Sequence, residues 1–227
     1  MRSGGGGDRG LCALKLAATS LRQLLMLERL ILARHGETEW NVAGRAQGRA
    51  DSPLTEAGIE QAKALGKVFA AQGIQHIVSS TLGRAIHTAR IAADIAGATV
   101  STDERFVERA FGELEGRLVA EAIAEDAIWA SVVRGHDPVA VAGGSESLHD
   151  VAARMLPALE AIRALPYQRV AVITHGQSMR AILGALRHGG DYASYHHGNC
   201  GYTPLVVTAD SFTAEQWNIS PSEAVIA

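Results

Sequence analysis

Two short apolar runs, 140 positions apart, both end in a histidine followed by a glycine, and this shared ending constrains the fold more than any bulk property. Leu30-Ile31-Leu32-Ala33 leads into Arg34-His35-Gly36, and Val170-Ala171-Val172-Ile173 leads into Thr174-His175-Gly176. Apolar runs this short and this rich in branched side chains read as strands buried on both faces. Helical spacing fills the chain between them. Thr55 reads as the N-cap of a helix through Ala71, with Ile59, Ala62, Leu65, Val68 and Phe69 on one face. Ile77-Val78-Ser79 and Thr99 to Thr102 read as strands on either side of a helix from about Leu82 to Ala96. Glu121 to Val133 and Ser147 to Ala164 read as helices, the second opened by Ser147 and Asp150 as a capping box. Arg169 to Thr174 is the most continuous strand, and a helix follows it to about Leu186. Pro204 to Thr208 and Phe212 to Trp217 read as closing strands, a hairpin around Asp210-Ser211. Strands joined by helical crossovers predict an α/β domain with a mostly parallel central sheet and helices on both faces.

Composition narrows the classes. With 47% hydrophobic and 20% charged residues the 227-residue chain can bury a core, which excludes a disordered chain. No apolar run approaches the ~18 residues of a membrane span. A net charge of −3 argues against a general nucleic-acid binder. Cys12 and Cys200 lack partner motifs and read as free thiols in a reducing compartment, hence a cytoplasmic protein. Residues 1–28 read as an extension, disordered or weakly helical, ahead of a domain over 29–227. Gly4 to Gly7 is coil-like, and Lys15 interrupts the apolar stretch from Leu11 to Leu27 that a signal peptide would need. A transit peptide, and an upstream start with Met26 as a second initiator, stay open.

In parallel sheets ligands bind beyond the carboxyl ends of the strands. Both His-Gly pairs sit there, and Ile77-Val78-Ser79 delivers a third segment, Ser80 to Arg84, to the same edge. Glycine lets a ligand approach the backbone, and a helix starting there offers free N–H groups to an anion. Arginine supplies a permanent, planar charge for phosphate, and a neutral imidazole is a nucleophile. The 18 arginines among the 21 basic residues gain meaning only where two of them, Arg34 and Arg84, stand beside His35 and His175. His196-His197 has no third ligand at zinc spacing, and no metal site is expected.

The run from Leu32 to Asn41 (LARHGETEWN) resembles the signature of the histidine phosphatase superfamily, in the branch that holds cofactor-dependent phosphoglycerate mutases. The resemblance continues through Gly44 to Gly48, Asp51 to Gly58, Ser79 to Ala89, Glu108 to Gly116 and Thr174 to Gly176, and covers roughly 29 to 217. It implies a three-layer α/β sandwich of the phosphoglycerate mutase-like kind. By the same resemblance His35 is the nucleophile that becomes phosphohistidine. Arg34, Arg84 and His175 surround the phosphate, Asn41 adds a donor, and Glu108 is the general acid. Gln47 and Gly48 match a loop leaning over the substrate, and Gly176 offers a backbone N–H. The implied partner is a small phosphorylated metabolite; no cofactor, metal, nucleic acid or membrane is implied, and a homodimer is left open.

The family holds both phosphatases and mutases. The short interval from Glu108 to His175 and the form of Phe111 to Gly116 resemble the phosphatases more. Gly143 to Ser147 is similar to their Gly-Gly-Glu-Ser element but carries an inserted Ser145. The expected activity is hydrolysis of a phosphomonoester through His35, with a mutase dependent on 2,3-bisphosphoglycerate as the rival and a non-catalytic phospho-ligand binder as a remote third. Substrate choice is expected to lie in Arg117 to Leu148, an apolar segment that includes Trp129.

Overall fold

Leu30 and Leu32 leave one face of strand β1 (Arg29–Arg34) and Ile31 and Ala33 the other, and each pair meets its own layer of helices. The computed structural model describes residues 26–187 and 192–224. After β1 come a one-turn helix α1 (Glu39–Val42), α2 (Glu56–Ala71), β2 (His76–Ser79), α3 (Gly83–Ala96) and β3 (Thr99–Thr102). Two short helices follow, α4 (Val119–Glu125) and α5 (Ile128–Arg134), then α6 (Leu148–Ile162), β4 (Arg169–Thr174) and α7 (Gly176–Leu186). The chain closes with β5 (Tyr202–Val207), β6 (Phe212–Thr213) and a single turn, α8 (Pro221–Ala224).

The sheet order is β3-β2-β4-β1-β5-β6. The first four strands are parallel, β5 runs antiparallel to β1, and β6 antiparallel to β5. On one face Val151, Met155 and Leu159 of α6 and Met179 and Ile182 of α7 cover Leu30, Leu32, Val170 and Val172. On the other, Leu65 and Phe69 of α2 and Ala85 and Ala89 of α3 cover Ile31, Ile77, Ala171 and Ile173. The three layers implied by the resemblance are present. Each fully buried aliphatic side chain contributes about 1.5–3 kcal/mol, so alternation along the central strands fixes both layers at once.

Local signals placed most elements. Thr55 caps α2 by accepting from Gly58 N–H at 3.0 Å, and Ser147 and Asp150 form the expected capping box on α6. Three readings need correction. The helix expected over Glu121 to Val133 is two, because Asp126 is extended (φ −146°) and its side chain accepts from Ile128 N–H at 2.9 Å. That local bond offers the backbone an alternative to the helix. The last strand stops at Thr213, after which Trp217 turns edge-on to Tyr195. Its partner begins two residues before Pro204, because Tyr202 and Thr203 pair with Ala33 and Leu32.

Leu27 is buried in the core, Met26 is exposed, and Glu28 N–H bonds Gln168 C=O; residues 1–25 of the expected extension, with Cys12, lie outside the described residues. Among the described residues no helix is long and apolar enough to cross a membrane.

Candidate active site

The register of β1 against β4 builds the centre. Ala33 pairs with Ile173 and Arg34 with Thr174, so His35 and His175 leave neighbouring strands side by side, ring centroids 5.1 Å apart. His35 Nδ1 lies 2.7 Å from Gly36 C=O. A carbonyl only accepts, so Nδ1 carries the proton and Nε2 keeps the lone pair. Burial, with the charges of Arg84 and Arg34, holds this imidazole well below its ordinary pKa. His175 is held down likewise, by burial first and then by Arg84. Its Nε2 sits 2.7 Å from Ser80 Oγ at the end of β2. With the Ser80 hydroxyl donating, the proton of the neutral ring lies on Nδ1.

Three buried nitrogens here meet no hydrogen-bond partner among the described residues, Arg34 Nε, Arg84 Nε and His175 Nδ1, and two amide oxygens of the adjoining wall, Gln47 Oε1 and Gln177 Oε1, are likewise unpartnered. Buried donors are normally satisfied. All three nitrogens are donors, two of them cationic, which is the lining an oxyanion needs. Both guanidiniums are also tethered, Arg34 through Nη1 and Arg84 through both Nη atoms. Arg34 Nη1 donates to His197 C=O at 2.7 Å. Arg84 Nη1 donates to Ala50 C=O at 2.7 Å and Asp51 Oδ1 at 3.0 Å, and Nη2 to Gly48 C=O at 2.8 Å.

A cavity of about 240 Å³ adjoins this centre, lined by Arg34, Asn41, Gln47, Gly48, Glu108 and Gly176 of the predicted set. His35 and His175 are the chain neighbours of two lining residues, Arg34 and Gly176, and with Arg84 they lie buried behind the lining. The rest of the wall comes from Arg45, Phe111, Val119, Val133, Gln177, Arg180 and His196, among others. Val119 and Val133 belong to the segment expected to set substrate choice, but Trp129 turns away and packs on Gly143.

Glu108 is seated on the first turn of α7. Its Oε1 accepts from Arg109 N–H, Ser178 N–H and Ser178 Oγ at 2.9, 2.9 and 3.0 Å. Its Oε2 takes one longer bond, from Gln177 N–H at 3.2 Å. Asn41 does two things. As the third residue of α1 it closes a capping box with Thr38, and it lines the cavity. Gln47 Nε2 donates to Thr38 Oγ1 at 2.8 Å, while its Oε1 is buried without a partner among the described residues. Gly48 has φ +55°, and a Cβ there would meet Glu115 Oε1 at 2.3 Å. Among the described residues no three His, Cys, Asp or Glu side chains converge so as to hold a metal ion. His197 bonds Tyr195 C=O and Thr203 Oγ1.

Residues 30–220 match the histidine phosphatase superfamily, branch 1. The chain belongs to that family. A probable phosphoglycerate mutase GpmB of Yersinia pestis (strain Pestoides F) is 41% identical over 157 residues, 68% of this chain and 73% of the relative. Among solved structures, a mycobacterial glucosyl-3-phosphoglycerate phosphatase complexed with VO3 superposes with a TM-score of 0.77 at 31% identity, covering 85% of this chain and all of that one. A phosphoserine phosphatase mutant from Entamoeba histolytica, in complex with phosphoserine, gives 0.71 at 28% identity, over 85% and 97%.

In this member of the superfamily, sequence reasoning missed the residues that hold the site from behind. Arg109 sits in a polar run that reads as solvated, yet it is fully buried. It donates to Glu146, Val132 and Ala140 carbonyls, and burial lowers its pKa to about 10. Glu115 accepts from Arg49, Ala50 and Phe111 N–H groups, tying the loop of Gln47 and Gly48 to the segment that follows Glu108. Ser178 and Asn199 also touch predicted residues without having been singled out, while Ser80, which meets His175, opens the third segment read at the strand ends.

The neutral histidines make stability acid-sensitive. His197, like His35 and His175, is lowered by burial, in its case to about 4. Below pH ~6.5 the unfolded chain binds protons that the folded chain refuses, so stability falls as the pH falls. Three such groups give a slope of roughly 4 kcal/mol per pH unit. Urea unfolding at pH 7, 6 and 5 should show the midpoint dropping steeply. A flat profile would mean that these rings take up protons in the fold as readily as in the unfolded chain.

Proposed function

We propose that this chain hydrolyses a small phosphomonoester through a phosphohistidine on His35, with arginine and histidine donors rather than a metal neutralising the phosphate. The observation that carries the reading is the group of unsatisfied buried donors, Arg34 Nε, Arg84 Nε and His175 Nδ1, beside an imidazole whose Nε2 lone pair is free. Phosphoryl transfer needs mainly positioning and charge neutralisation, and these groups supply both. His35 Nε2 forms the N–P bond as the P–O bond to the leaving group breaks, and Glu108 Oε2 gives that oxygen a proton. Asn41 and Gly176 add neutral donors. In the second half Glu108 takes a proton from water as the water oxygen attacks phosphorus, which releases phosphate and restores neutral His35.

Hydrolysis rather than mutase chemistry is favoured by the modest cavity and by the short cap of α4 and α5, whose Val119 and Val133 give it apolar wall. The mutase reading has its own support in the 41% identity to a probable phosphoglycerate mutase. One experiment separates them. The protein is mixed with a panel of phosphomonoesters, phosphoserine and phosphoglycerates included, with chelator present, quenched rapidly in alkali and analysed by mass. Net phosphate release with a phosphoryl group on His35 is expected. Interconversion of phosphoglycerates that needs bisphosphoglycerate, with little phosphate released, would establish the mutase. Failure to trap phosphate on His35 with a working substrate would sink the mechanism.

Glu108→Gln tests the acid. For an alkyl phosphate ester kcat should fall ~10²–10⁴-fold. For an aryl phosphate whose phenolate leaves without a proton, the loss of the first step should be much smaller. Equal losses on both substrates would remove the acid role from Glu108.

A further inference from the structure

Asn199 lies outside the motifs that carry the family resemblance and is not among the cavity-lining residues, yet it touches the site twice. Its Nδ2 donates to His35 C=O at 3.3 Å and to Asn41 Oδ1 at 3.1 Å. The backbone carbonyl only accepts, so the amide nitrogen must face this way. Asn41 Oδ1 also takes Thr38 N–H at 3.2 Å and Thr38 Oγ–H at 3.0 Å. Three donors on the oxygen leave only the NH₂ end of Asn41 for the cavity that the residue lines.

The chain around Asn199 is built to hold it there. Cys200 is a fully buried non-glycine residue in the left-handed region, with φ +55°. Such a conformation is strained and persists only where its surroundings over-determine it. They do so here. Cys200 N–H donates to His35 C=O at 3.1 Å, and Arg34 N–H to Gly201 C=O at 3.0 Å. Arg34 Nη1 reaches His197 C=O, and Asn218 Oδ1 anchors Gly198 N–H at 2.8 Å. The stretch from His197 to Gly201 therefore grips the Arg34-His35 pair by backbone and side chain, and Asn199 extends the grip to Asn41.

We propose that Asn199 is a positioning residue for phosphoryl capture, one that fixes the Asn41 amide with its NH₂ toward the phosphoryl oxygens and pins the backbone of His35. It acts through those two residues and not on the substrate. The proposal rests on reading the cavity as a phosphoryl site, and the test keeps the two apart.

Orthovanadate and inorganic phosphate serve as probes, titrated into wild type, Asn199→Ala, Asn41→Ala and the double variant, with thermal unfolding in parallel. Losing two charge-free hydrogen bonds to Asn199 should weaken vanadate about tenfold. The double variant should bind within about threefold of Asn41→Ala, because coupled residues do not lose independently. In turnover, kcat of Asn199→Ala should fall more than KM rises. Asn199→Ser keeps one donor and should lose less; it also serves if the alanine variant does not fold. Losses that multiply in the double variant, or vanadate bound as tightly by Asn199→Ala as by wild type, would overturn the positioning role while leaving the phosphoryl site intact. Wild type that binds neither probe would overturn the phosphoryl site itself.

Discussion

His35→Ala should leave a folded protein that still holds phosphate but turns over on the order of 10⁴-fold more slowly, or worse. The two halves of that result come from different atoms. Among the described residues the ring makes a single hydrogen bond, to the carbonyl of the next residue, so its removal leaves one carbonyl without that partner. Arg34, Arg84 and His175 stay where they are, because none of their tethers runs through the His35 side chain. The electrostatic part of phosphate binding is thus kept. Chemistry is lost because the neighbouring His175 has its Nε2 taken up at Ser80 Oγ, and the Cys200 thiol is buried and pushed up to about 12. Isothermal titration with inorganic phosphate and steady-state rates on the same preparation check both halves. Residual turnover within a hundredfold of wild type would show that water, not His35, attacks phosphorus.

Much of this arrangement is visible in the chain before any coordinate. The strand endings at His35 and His175 are legible because an apolar run followed by His-Gly is a local pattern, and so are the caps at Thr55 and Ser147. Gly36 and Gly58 could be read only as motif positions. In the fold they are where the turn after β1 presses on the first turn of α2, and a Cβ on Gly36 would stand 2.5 Å from Gly58 C=O. The break at Asp126 escapes a periodicity reading because the apolar spacing runs through it, and only the side chain's bond to Ile128 N–H ends the helix. Arg109 escapes for the opposite reason. Its neighbours in sequence are charged, and its burial is set by carbonyls 23 to 37 residues away. Asn199 meets Asn41 across 158 residues, where spacing carries no information. What local chemistry decides is legible, and what a loop meets after folding is not.

Arg84→Lys should cost less than losing the nucleophile but far more than a substitution that conserves charge usually does. Arg84 is 2% exposed and uses the shape of guanidinium, not only its charge. One edge spans Gly48 C=O, Ala50 C=O and Asp51, the three points that fold the loop of Gln47 and Gly48 over the site. The remaining Nε is left for the anion. An ammonium is a point with three donors, and it cannot hold two carbonyls and a carboxylate while also facing phosphate. If the lysine follows the loop, the phosphate loses one of its two arginine contacts. If it follows the phosphate, two buried carbonyls are orphaned, at about 1–3 kcal/mol each. Losses of ~10²–10³-fold in kcat/KM, together with about 2–4 kcal/mol in urea unfolding, are expected. The two deficits should respond differently to phosphate. Saturating phosphate stabilises wild type by mass action, and in the lysine variant it should restore much less, since drawing the ammonium to the anion opens the loop. Equal stabilisation of both proteins by phosphate would show that Arg84 serves the loop alone.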